Sequence, residues 1–337
     1  MKLRVLLICN YKPGVGGISG QVEILQRKLQ QDGHTAEIFS TKGSFLWRLG
    51  LLRRMKLAAK DYDVLHIHCC SGWGFLPAVV GVNVGRRMKK RVVLTYHGGG
   101  GERFFNKHTC MVKRYLMHTD ANIVLSGFLG KVFDQYQLPY TIIPNIIELD
   151  ERQYRERAPI QPHYICVRAH EELYNISCIL RAFQKTLTEL PEASLTLVGD
   201  GSQHNALLQM AKGLRLPNVT FTGRVDNKEI YQYLNKADIM LSAPKVDNMP
   251  VSLLEAMNAG LLIISTNVGG VPYMIDSGKT GYLFPDDDSD ALASLMIRAV
   301  QQQPESITII HNAHQAVDSY RWENIKNKLY HTYGFPA

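Results

Sequence analysis

The chain has 337 residues, 45% hydrophobic and 20% charged, with a formal net charge of +8. That length and balance suit two domains with buried cores and exclude a disordered chain, and no run of about 18 uncharged apolar residues offers a membrane span. The charge is lopsided: residues 1–150 carry 21 Lys and Arg against 10 Asp and Glu, the remainder 17 against 20. An acidic partner, either nucleic acid or an anionic membrane surface, is therefore expected for the first half only. Six cysteines (Cys9, Cys69, Cys70, Cys110, Cys166, Cys178) show no C-x-x-C spacing and read as reduced, buried thiols of a cytosolic protein.

In chain order, "KLRVLLICN" reads as a buried first strand rather than a signal peptide, because no small-residue cleavage site follows it. "TAEIFST", "DVLHIHC", "RVVLTYHG", "ANIVLS" and "YTIIPN" continue a first β series, with helical stretches such as "GQVEILQRKLQQDG" between. A second series runs "YICVRA", "ASLTLVGDG", "NVTFTGR", "ADIMLSA", "LLIISTN" and "GYLFPD". Strands alternating with helices predict parallel sheets covered on both faces, hence an α/β protein of two doubly wound, Rossmann-like domains. The break falls in the polar stretch 148–163, giving domains over residues 1–155 and 160–317, with a C-terminal helix at about 318–337 packing back on the first. Ligands of open parallel sheets bind beyond the carboxyl ends of the strands, so the ligand is expected in a cleft between the two domains.

Four stretches carry chemistry. "NYKPGVGGISGQVEIL" follows the first strand, and Gly14, Gly16, Gly17 and Gly20 let amides at a helix N-terminus approach a ligand. Its spacing is not the dinucleotide G-x-G-x-x-G, and no acid ends the second strand, against an NAD reading. In "CVRAHEELYN", Arg168 stands where a strand ends and suits bidentate contact with a diphosphate. "KVDNMPVSLLEAMNAG" puts Asp247 in a turn and Glu255 two full turns into a helix, places for sugar hydroxyls and a ribose diol, respectively. The turn "STNVGGVP" (Gly269, Gly270) brings further amides towards a phosphate. His66 and His68 alternate on one strand, which predicts one facing the core and one approaching the ligand.

These features, with "IIPN", "LVGDG", "NVTFTGRV" and "GKTGYLF" in this order, resemble the retaining glycosyltransferases of family 4 (group 1), which have the GT-B fold of two facing Rossmann-like domains. The family's E-x7-E element is matched by Asp247-x7-Glu255. The resemblance implies that Asp247 and the amides of Asn248 and Met249 hold donor-sugar hydroxyls and that Glu255 holds the ribose. Arg168 with the Gly16–Gly17 loop would bind the diphosphate, Arg224 and Val225 would lie near the base, and His97 beside the donor sugar. His97, Arg168 and Asp247 are thus the catalytic candidates.

The implied activity is metal-independent retaining transfer of a hexose or N-acetylhexosamine from a UDP-sugar, used as substrate with no cofactor, to a lipid-linked glycan in cell-surface polysaccharide synthesis (O-antigen, lipopolysaccharide or capsule). A nucleotide-sugar epimerase of the same architecture and a degenerate sugar-nucleotide-binding protein are the rivals. The chain departs from the family pattern at Tyr174, where a lysine is usual, at Pro250, which offers no amide, and at Tyr273, where a glutamate is usual. The missing lysine leaves the leaving group to Arg168, backbone amides and either His170 or Lys245. The acids of "FPDDDSDALASLM" read as a helix cap (Asp288, Ser289 or Asp290) rather than a metal loop. "SFLWRLGLLRRMKLAAK" (44–60) mixes Leu52, Met55 and Leu57 with Arg48, Arg53, Arg54, Lys56 and Lys60, and "GRRMKKR" (85–91) adds five more cations. This reads as an amphipathic basic helix on the inner face of the cytoplasmic membrane. Nucleic acid is not expected, since no base-stacking platform accompanies the charge.

Overall fold

A computed structural model describes residues 2–14, 17–43, 50–148 and 153–335. The chain separates into two units, Met1–Glu148 with Tyr320–Ala337, and Leu149–Ser319. In the first, β1 (Arg4–Cys9), α1 (Ile18–Gln31), β2 (Thr35–Ser40), α2 (Leu51–Ala58), β3 (Val64–Cys69), α3 (Leu76–Arg87) and β4 (Arg91–Tyr96) are followed by α4 (Gly101–Lys107), α5 (Thr109–Leu116), β5 (Ala121–Val124), α6 (Gly127–Gln135) and β6 (Thr141–Ile142). The second holds β7 (His163–Val167), α7 (Ile176–Thr186), β8 (Ser194–Val198), α8 (His204–Gly213), β9 (Val219–Gly223), α9 (Ile230–Lys236), β10 (Ile239–Ser242), α10 (Val251–Asn258), β11 (Leu262–Thr266), β12 (Tyr282–Phe284), α11 (Ser289–Gln301) and α12 (Gln303–Ala316). The chain ends with α13 (Trp322–Thr332) in the first unit.

Each of the twelve runs read as β became a strand, and all are parallel, in the orders β2-β1-β3-β4-β5-β6 and β12-β11-β10-β7-β8-β9. Their apolar character on both faces is what a sheet covered by helices on both sides requires. On β1, Leu6 and Ile8 enter one core cluster while Val5, Leu7 and Cys9 enter the other. In α7 the i, i+3, i+4, i+7 stripe Ile176, Ile179, Leu180 and Phe183 is buried in the core of the second unit. The strand order reverses between β1 and β3 in one sheet and between β7 and β10 in the other. Those two carboxyl edges are where open parallel sheets bind ligands.

Helix α13 belongs to the first core: Trp322, Ile325 and Leu329 pack with Val5, Leu7, Val22 and Leu25. Asp32, at the end of α1, accepts hydrogen bonds from Trp322 Nε1 (2.9 Å) and the Tyr330 hydroxyl (2.7 Å). At the start of the second unit, the guanidinium of fully buried Arg157 donates to the carbonyls of Ala237, Leu234, Ala259 and Arg155, and both Arg155 and Arg157 pair with Asp238.

Three readings need correction. Cys110 is exposed, unlike buried Cys9, Cys69, Cys166 and Cys178. Met55 lies in the core with Leu51 and Ala59, so α2 turns its main apolar stripe inward and leaves only Leu52 and Leu57 outside among its cations; residues 44–49 lie outside the described residues. Glu255 sits little more than one turn into α10, because the helix starts at Val251. Among the acids of 286–290, Asp288 caps α11 by accepting from the Asp290 and Ala291 amides, as expected.

Candidate functional site

In the second unit, Arg168 follows β7 and Asp247 follows β10, the two strands flanking the reversal. Their side chains meet there: Arg168 Nη1 lies 3.0 Å from Asp247 Oδ2, both largely buried. Arg168 Nη2 donates to Ser242 Oγ at 3.3 Å, and the guanidinium carbon lies 5.1 Å from the centre of the Tyr174 ring. The Nε of Arg168 is buried with no hydrogen-bond partner. An arginine held on two nitrogens and one face, with further N–H groups on Nη1 and Nη2 to spare, is poised for an anion.

Asp247 is fixed through its backbone. Gly270 N donates to the Asp247 carbonyl at 2.8 Å, and Gly269, at φ +56°, approaches so closely that a Cβ there would sit 2.0 Å from the same oxygen. The "STNVGGVP" turn thus supports the acid, and the Gly270 amide is used for that purpose rather than presented to a phosphate. The Asn248 amide donates to the Asp247 carboxylate at 2.8 Å, and the Asn248 and Met249 side chains are buried. One turn into α10, burial pushes the Glu255 carboxyl up to about 7 against the pull of Arg168. Arg224 is exposed just beyond β9, at the sheet's edge, next to partly buried Val225.

Of the two substitutes for the missing lysine, His170 does not add charge. His170 is buried, its Nδ1 2.9 Å from His204 Nδ1 with the rings stacked, and burial lowers its pKa, so it stays neutral. Lys245 faces Glu172 (3.5 Å).

In the first unit, Gly17 caps α1 at φ +68°, and Gly16 lies outside the described residues. His97 follows β4, and its Nε2 is 3.0 Å from His68 Nδ1. His66 and His68 do not divide between core and ligand: positions i and i+2 of a strand share a face, and both are buried. His66 is spanned by the Tyr333 hydroxyl and Thr95 Oγ1, each at 2.8 Å. All three histidines line a cavity of about 40 Å³ with Gln21, Thr95 and Asn145. Burial keeps all three neutral, helped at His66 and His68 by the neighbouring imidazoles: His66 falls to about 3, His97 to about 4, and His68 well below its usual value.

Sequence reasoning missed Ser242 and the stacking of Tyr174 on Arg168. The one available signal for Ser242 was a polar residue closing an otherwise apolar strand.

The profile described as "Glycosyl transferases group 1" matches residues 150–316, and "Glycosyltransferase Family 4" matches residues 15–151. The N-acetyl-alpha-D-glucosaminyl L-malate synthase of Bacillus anthracis is 26% identical, over 96% of this chain and 95% of its own. The alpha-monoglucosyldiacylglycerol synthase of Streptococcus pneumoniae is 23% identical over 78% of this chain and 70% of its own. The structure of Anabaena HepE in complex with UDP-glucose superposes with a TM-score of 0.80 at 18% identity, covering 98% of this chain and 99% of that one. The fold is thus GT-B, two Rossmann-like domains with six-stranded parallel sheets. The chain belongs to the family 4, group 1 glycosyltransferases and is a glycosyltransferase.

The histidine row generates a stability prediction. A histidine depressed from 6.5 to about 3 contributes stability that is complete above 6.5 and is lost as pH falls towards about 3. His66→Leu should reduce the pH slope of stability below 6.5 by about 1.4 kcal/mol per pH unit, one proton's worth. Urea denaturation from pH 8 to 4 reads this; an unchanged slope in the variant would show that His66 is not held neutral.

Proposed function

We propose that the enzyme transfers a hexose or N-acetylhexosamine from a UDP-sugar, without a metal ion and with retention at the anomeric carbon, to a lipid-linked glycan of a cell-surface polysaccharide. The observation that carries the donor reading is the Arg168–Asp247 pair at the β7/β10 reversal. Arg168 opposes the charge that the diphosphate gains as the anomeric C–O bond breaks. Asp247, with the Asn248 and Met249 segment, takes sugar hydroxyls, Glu255 takes the ribose diol, and Arg224 and Val225 flank the base. His97 is neutral, with Nε2 engaged by His68, and serves the transfer step as a hydrogen-bonding group rather than a cation. The UDP-glucose bound by HepE supports a UDP-sugar, and the diacylglycerol product named for the pneumococcal relative supports a lipid acceptor.

The test is incubation with UDP-glucose or UDP-N-acetylglucosamine, with and without a polyprenyl-linked saccharide, in the presence of EDTA. Transfer that survives EDTA and gives an α-linked product by proton NMR is expected. A β-linked product would overturn retention, and turnover without acceptor would point to epimerisation.

Glu255 makes donor binding depend on pH. If the diol is held by the carboxylate, affinity for UDP-glucose, which has no ionisation of its own near neutrality, rises with pH through about 7. Between pH 6 and 8 the dissociation constant should fall about tenfold in calorimetric titration and lose that dependence in Glu255→Gln. The same dependence in the variant would remove the ribose assignment.

The first unit's charge fits an anionic membrane surface. Among the described residues no helix is long and apolar enough to cross a membrane, whereas Arg53, Lys56 and Lys60 are exposed beside Leu52 and Leu57 on and just after α2. Each such cation contributes about 1 kcal/mol near an anionic leaflet. Replacing the three with Ser should sharply reduce sedimentation with phosphatidylserine or phosphatidylglycerol vesicles. Undiminished sedimentation would leave α2 an ordinary solvated helix.

A further inference from the structure

The turn that carries Tyr174 is unusually well tied down. After the 3-10 turn Glu172–Tyr174, the chain passes through Asn175 in the left-handed region (φ 46°), and α7 begins at Ile176. Asn175 Nδ2 donates to Asp287 Oδ1 at 3.0 Å, and Arg181 secures the same carboxylate at 2.6 Å. On the other side, Lys245 N donates to the Leu173 carbonyl at 2.9 Å, joining the turn to the loop that leads to Asp247. Behind it, Gln203 N donates to the His170 carbonyl at 2.8 Å. The Tyr174 ring is therefore set at a fixed height over Arg168.

That placement changes the meaning of the missing lysine. A lysine there would be a second, flexible point charge close to Arg168 and would repel it until an anion arrived. The tyrosine ring instead attracts the guanidinium through its face, covers it from solvent and leaves its donors in plane. With Asp247 on Nη1, Ser242 on Nη2 and Tyr174 on the face, one N–H each of Nη1 and Nη2 is left over beside the buried, unpartnered Nε.

We propose that Tyr174 is a positioning residue for Arg168, so that this site grips a diphosphate with one immobilised cation in place of two mobile ones. The proposal rests on Arg168 being the diphosphate ligand. Its ligand class is a nucleoside diphosphate or its sugar ester, and UDP is the probe.

Calorimetric titration of the full chain with UDP tests it through a double-mutant cycle. Tyr174→Ala should raise the dissociation constant about tenfold, the scale of one partly buried cation–π contact. Tyr174→Phe, which keeps the ring, should restore most of that loss. In an Arg168→Ala background, Tyr174→Ala should add nothing further, because the ring then has no cation to hold. A merely structural tyrosine would weaken UDP equally with or without Arg168, and that result, or wild-type affinity in Tyr174→Ala, would overturn the proposal. If Arg168→Ala alone leaves UDP affinity intact, the diphosphate reading itself is wrong and the proposal falls with it.

Discussion

The Arg168–Asp247 ion pair governs the arrangement of the second unit's site. Two opposite charges this buried are retained only if their remaining donors and acceptors are supported, and removing either partner leaves the other desolvated and unpaired. The chain meets that demand from four directions. Ser242 and Tyr174 hold the guanidinium, while the Asn248 amide and the Gly269–Gly270 turn hold the acid and its backbone. Gly269 is needed for steric as well as conformational reasons, since any side chain would collide with the Asp247 carbonyl. A substrate entering this site meets a frame already assembled. In the proposed reading the ordering cost has been met in folding, and the donor supplies an anion for the remaining N–H groups and hydroxyls for the carboxylate.

The first unit solves a different problem with the same sheet type. Its β3 strand brings two histidines to one buried face, where a sheet covered by helices ordinarily has aliphatic side chains. Thr95 and the Tyr333 hydroxyl satisfy His66, and His68 spends its Nδ1 on His97. Tyr333 comes from the far C-terminus, directly after α13, so the end of the chain completes the hydrogen bonding of a strand near the beginning. Loss of that helix would expose both apolar surface and a buried polar row.

All twelve strands among the described residues were legible because buried parallel strands are short continuous apolar runs bounded by turn residues, a pattern that tertiary context seldom overrides. The fold class followed from their alternation with helices. What was not legible was contact across the sheet. Arg168 and Asp247 were each recognisable as strand-end residues, but their pairing depends on β7 lying beside β10, which is a fact of topology. Tyr174 read as a deficiency because a motif records which residue is absent, and only geometry shows what the replacement touches. The two histidines were misassigned by treating alternate positions as opposite faces, and Met55 because a basic, apolar stretch was read outward when its i, i+4 stripe is core. Pro250 stands before the first turn of α10, so the helix starts at Val251 and Glu255 lies one turn in rather than two.

The most direct measurement of the central claim, that the donor is held at the β7/β10 edge of the second unit, is hydrogen–deuterium exchange of the full chain with and without saturating UDP. Slower exchange concentrated in segments 168–175 and 245–258 is the predicted result. Protection absent from both segments while UDP is demonstrably bound would contradict it.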